Sequence, residues 1–94
     1  MQDHLVEISV SPWQGYEPLS LTVRIQHRVP NAREICVVWD DGVPHRRCGL
    51  VGNEIETVIE NLPAGSYALM AEVVDTEGSY YRCSADTVLV RSRG

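Results

Sequence analysis

Hydrophobic and polar residues along this chain alternate with a period of two in one short segment after another. From His4 to Val10, Val6, Ile8 and Val10 mark one face and Glu7 and Ser9 the other, which predicts a half-buried edge strand. Leu19 to His27 is the clearest case: Leu19, Leu21, Val23 and Ile25 point inward, and Ser20, Thr22, Arg24 and Gln26 outward. Glu34 to Asp40 is almost continuously apolar, with Ile35, Val37 and Trp39 as its inward set. Val43 to Leu50 can pair back on it as a short hairpin. Ile55 to Leu62 places Ile55, Thr57 and Ile59 on one face, and Tyr67 to Asp75 places Tyr67, Leu69, Ala71 and Val73 inward. Tyr80 to Val90 closes the sheet. Its apolar positions change parity between Cys83/Ala85 and Val88/Val90, which predicts a β-bulge.

Turn chemistry separates these segments. Asp40-Asp41-Gly42 combines aspartates, which hydrogen-bond their own backbone, with a glycine that tolerates positive φ. Ser11 to Pro18 reads as a loop bracketed by prolines, and Asn61 to Ser66 as a corner. About seven strands with no helical periodicity predict an all-β protein, a β-sandwich. The predicted core includes Leu21, Val23, Val37, Trp39, Tyr67, Leu69 and Val73, with Trp39 as the plug between the sheets. Tyr67 is expected to close its corner by donating its hydroxyl to upstream backbone.

At 94 residues the chain forms one domain, 1–94, and its hydrophobic share of 44% excludes a disordered chain. The net charge of −5 argues against a nucleic-acid partner. No stretch has the apolar length of a membrane span, and the N-terminus lacks the charge and apolar pattern of a signal peptide. All eight basic residues are arginine, a residue favoured at interfaces. The basic tail, 91–94, is expected to be flexible.

In order along the chain, several motifs resemble PKD-type immunoglobulin-like domains. They are Ser11-Pro12 with Pro18 to Val23, then Trp39-Asp40-Asp41-Gly42, Gly65-x-Tyr67, Asp75-x-x-Gly78, and Thr87 to Val90. The corner Leu62-Pro63-x-Gly65-x-Tyr67 is equally similar to fibronectin type III domains. The resemblance implies an immunoglobulin-like antiparallel sandwich with Greek-key connections, a fold used for spacing, adhesion and binding. The usual longer Trp-Asp-Phe-Gly-Asp-Gly run is shortened here.

Candidate chemistry is sparse. No nucleophile elbow, metalloprotease helix or phosphate-binding glycine loop is present, so no catalytic residue, cofactor or metal is expected. Asp40, Asp41, Asp75 and Glu77 fall in two turns; turn chemistry accounts for them without calcium, since a calcium-loop spacing is missing. A three-residue loop after Asp40 would set Cys36 opposite Cys48, within reach of a cross-strand disulfide. The odd cysteine count, with Cys83 as the third, favours reduced thiols, and that is the expectation here. Trp13 and Tyr16, on a Pro/Gly loop, either anchor a partner or cap the open end of the sandwich.

The function expected is therefore that of a non-catalytic structural or binding module. A chain that starts with methionine and carries no signal fits an accessory virion protein, a bacteriophage capsid decoration or tail protein. It would dock on a capsid or tail protein through Trp13, Tyr16, Arg46, Arg47, Arg91 and Arg93, with copies side by side as a homo-oligomer on the assembly. The alternative is an extracellular module that spaces domains or binds carbohydrate.

Overall fold

The alternation read from the sequence is realised strand by strand in the computed structural model, which describes residues 5–94. The strands are β1 (Val6–Ser11), β2 (Gln14–Tyr16), β3 (Leu19–His27), β4 (Ala32–Asp40), β5 (Pro44–Arg47), β6 (Glu54–Leu62), β7 (Gly65–Asp75), β8 (Tyr80–Ser84) and β9 (Val88–Arg91). No helix occurs among the described residues. His4, where the first strand was expected to begin, lies outside them.

Two sheets pack face to face. One has the order β1-β3-β6; the other has the order β2-β9-β7-β4-β5, with β8 also on β7. Leu21, Val23 and Ile25 of β3 and Ile55 and Ile59 of β6 meet Val37, Tyr67, Leu69 and Val73 of the opposite sheet. Each aliphatic side chain buried this completely contributes about 1.5–3 kcal/mol. The core members named from the sequence are all buried here except Trp39.

Trp39 is half-buried at the margin of the core and is not its plug. The reason is the unequal width of the sheets. The smaller sheet stops at β6, while the larger runs on to β5, so Trp39 is covered by β5's own side chains. Its ring stacks on His45 at 5.7 Å between centroids, and the Arg47 guanidinium lies 5.6 Å from its centroid. Tyr67 is the largest fully buried side chain instead. Its hydroxyl donates to the Pro63 carbonyl at 2.7 Å, the corner expected from the sequence.

Two further expectations are corrected. The loop Ser11 to Pro18 contains β2, which pairs in parallel with β9 at Gln14↔Leu89, Gly15↔Val90 and Tyr16↔Arg91. A three-residue strand carries too few positions to show alternation, and its partner lies at the far end of the chain. The cysteines are not all reduced: Cys36 and Cys48 form a disulfide with 4.1 Å between Cα atoms, and Cys83 is free. The β4–β5 register, from Asp40↔Pro44 to Val37↔Arg47, brings the two opposite each other one step further on. That register follows from the Asp41-Gly42-Val43 loop. There Gly42 has φ 111° and donates its N–H to Asp40 Oδ1 at 2.7 Å, as the turn chemistry predicts.

The stretch Tyr80 to Val90, expected as one bulged strand, is two strands, β8 and β9, separated at residues 85–87. Their register against β7 slips by one residue between Met70↔Ser84 and Tyr67↔Val88. The slip keeps Cys83 of β8 and Ala85 just after it on the core side, and Val88 and Val90 on it in β9.

Candidate functional site

β2 and β9 bring the sequence-predicted aromatic residues to one corner of the molecule. Trp13 and Tyr16 are 57% and 56% exposed, and Leu89 beside them is 38% exposed. Tyr16 stands in register with Arg91, so an exposed aromatic ring and a guanidinium share one row of the sheet's outer face. Trp13 lines a shallow cleft with Ile8, Val10, Ala85 and Asp86.

The backbone of this corner is fixed. Leu89 N–H donates to the Trp13 carbonyl at 3.0 Å, and Glu17 N–H donates to the Arg91 carbonyl at 2.8 Å. The Glu17 carboxylate accepts the backbone N–H groups of Ala64 and Arg93 at 3.4 and 3.3 Å. Together with the Ser92 side chain, the first of these causes, they hold the Glu17 carboxyl below the usual range. Arg93 Nε donates back to the Glu17 carbonyl, so the basic tail is tied to the end of β2.

Arg46 and Arg47 lie elsewhere. Glu72 sits roughly 20 Å from the β2 corner, counting residues along β7 at ~3.3 Å each, and Arg46 is paired with it on the outer face. Being adjacent on β5, the two arginines face opposite sides of the sheet. Arg47 turns inward and donates to Thr57 Oγ1 and the Val58 carbonyl, both at 2.7 Å, which bridges the open side between the sheets.

Sequence reasoning missed the group that Arg46 joins. Glu72, 3% exposed, accepts from Arg46 at 2.9 Å and from Arg82 at 2.8 Å. The Arg82 guanidinium lies over the exposed Tyr80 ring at 4.9 Å. A signal was present: the outward positions Met70, Glu72 and Val74 of β7 are largely apolar, which marks a second covered face. The turn carboxylates are also separated. Asp40 pairs with Ala68 and Asp75 with Ala32, at opposite ends of β7, so they form no joint calcium site. Asp75 instead organises its hairpin, accepting from the Glu77 and Ser79 N–H groups at 2.9 Å and the Tyr81 hydroxyl at 3.0 Å.

These contacts set a pH dependence. The Arg82 hydrogen bond, then that of Arg46, holds Glu72 low against the cost of burial, and the Ser79 N–H and Tyr81 hydroxyl hold Asp75 low. Burial pushes Tyr67 up, and the bond to Asp75 pushes Tyr81 up. A carboxylate held low gives stability that is complete above its unfolded pKa of about 4 and lost as pH falls through the folded value. A tyrosine held high gives stability complete below about pH 10 and lost as pH rises through the folded value. Urea midpoints should therefore be level from about pH 5 to 9 and fall on both sides. Glu72→Gln and Asp75→Asn should each weaken the acid fall; an acid limb unchanged in both variants would show that it arises elsewhere.

Comparison of the chain with protein-family models, curated protein sequences and solved structures returned no match.

Proposed function

We propose that this chain is an immunoglobulin-like, non-catalytic binding module that docks on a larger protein assembly through the β2–β9 corner. The observation that carries the reading is that Trp13 and Tyr16 remain more than half exposed on a backbone fixed by β9 and Glu17. Rigid, exposed aromatic side chains lose little entropy on binding and are common interface anchors. Arg91 in the row of Tyr16 supplies a planar donor beside them. The sheet orders and the Tyr67 corner support the immunoglobulin-like reading. The assembly proposed is a bacteriophage capsid or tail. The disulfide supports a location outside a reducing cytoplasm, of which a virion surface is one.

The same disulfide favours a second reading, an extracellular spacer or carbohydrate-binding module that uses the same aromatic residues. One set of variants tests both. Trp13→Ala and Tyr16→Ala should leave the thermal midpoint unchanged, because neither side chain is buried. Wild-type protein should sediment with assembled phage particles at fixed stoichiometry. Each variant should weaken that binding by about 2 kcal/mol, roughly thirtyfold. Protein that stays free of particles overturns the virion reading. Binding on a glycan array, lost in the same variants, would establish the second.

A further inference from the structure

Glu34, Cys36 and Cys48 come together on the outer face of the larger sheet. Glu34 and Cys36 are two apart on β4, so their side chains leave the strand on the same side. Cys48 follows β5 and stands opposite Cys36 across the hairpin. One carboxylate oxygen and both sulfurs lie within 4.8 Å of one another. Cys36 is fully buried, whereas Cys48 and Glu34 are exposed. Glu72, the neighbour of Cys36 on β7, is already held by Arg46 and Arg82 and does not compete for a cation here.

We propose that this trio is a redox-gated site for a thiolate-preferring divalent cation such as Zn2+ or Cd2+. In the oxidised protein the sulfurs are joined and the site is closed. Exposed Cys48 gives a small dithiol reductant access to the bond. The dithiol transfers two electrons and two protons: the disulfide becomes two thiols and the dithiol becomes its own disulfide. The two thiols release their protons as the cation binds, and the cation takes two thiolates, the Glu34 carboxylate and a water in a tetrahedral shell. Zn–S bonds of about 2.3 Å and Zn–O bonds of about 2.0–2.2 Å separate such ligand atoms by roughly 3.5 Å. The Glu34 carboxylate lies within 4.8 Å of both sulfurs of the disulfide, so it is at hand for a cation held between them once they part. Two thiolates favour Zn2+ and Cd2+ over Ca2+ and Mg2+, which prefer oxygen shells.

The test uses the full chain carrying Cys83→Ser, which removes the remaining thiol. Protein reduced by a dithiol and then freed of it without oxygen is titrated with Cd2+, and thiolate-to-metal charge-transfer absorption is followed. One cation should bind per chain in the reduced protein and none in the oxidised protein. Zn2+ should raise the thermal midpoint of the reduced protein only. Glu34→Gln, on the exposed end of the trio, keeps the disulfide framework and should weaken binding by at least the tenfold that outer-shell changes already cost. Equal Cd2+ affinity in Glu34→Gln, or a reduced protein that Zn2+ does not stabilise, overturns the proposal.

Discussion

Replacing Tyr67 with alanine is expected to destabilise the protein by about 4 kcal/mol, the range seen when a buried aromatic is cut back to a methyl group. Its ring is 1% exposed and lies within the core cluster between the sheets. The aromatic volume has no substitute there, because Trp39 and Tyr81, the other rings that touch the core, are only partly buried. Domains of ordinary stability have only about 5–15 kcal/mol in total, so the variant should melt roughly 20 °C lower. Tyr67→Phe separates the two contributions. It keeps the packing and removes the hydroxyl donated to Pro63, so it should cost about 1 kcal/mol. Calorimetry on both variants is the measurement. A Tyr67→Ala cost below about 2 kcal/mol would mean that the ring does not hold the sheets together.

Opening the Cys36–Cys48 disulfide is the second large perturbation. The bond closes a loop between residues separated by 12 in sequence, and a loop of that size restricts the unfolded chain by about 2–3 kcal/mol. In a domain of this length that corresponds to a fall of roughly 10–20 °C in the thermal midpoint. Cys36→Ala with Cys48→Ala should show the same fall in oxidising buffer, since alanine leaves no unpaired thiol in the buried place of Cys36. Wild-type protein reduced in metal-free buffer should match it. A midpoint unchanged by reduction would show that the hairpin register, set by the Asp41-Gly42-Val43 loop, holds β5 without the covalent bond.

The pattern of the sequence made most strands legible for a direct reason. Side chains alternate across a strand, and the core-facing set of β3, β6 and β7 is apolar at nearly every second position. The parity change before Val88 was readable in the same way, since a one-residue slip is the cheapest means of keeping both halves turned toward the core. The Tyr67 corner and the Asp40–Val43 turn were readable because their hydrogen bonds are local.

The candidate site was only partly legible. Trp13 and Tyr16 stood out by falling in a Pro/Gly segment outside any strand pattern, and they are exposed as an anchor requires. The charge of Arg46 and Arg47 does not by itself say which face each one takes. Neighbouring residues of a strand face opposite sides, so one reaches Glu72 and the other the opposing sheet.

By itself, then, the sequence determined the all-β class, the inward faces, the turns and the facing of Cys36 with Cys48. Each of these follows from a local repeat or a short loop. Only the tertiary structure decided the pairing of β2 with β9, the clamp of Arg46 and Arg82 on Glu72, the marginal seat of Trp39 and the bonded state of the cysteines. These depend on the widths of the two sheets and on contacts between segments distant in the chain, which no local periodicity encodes.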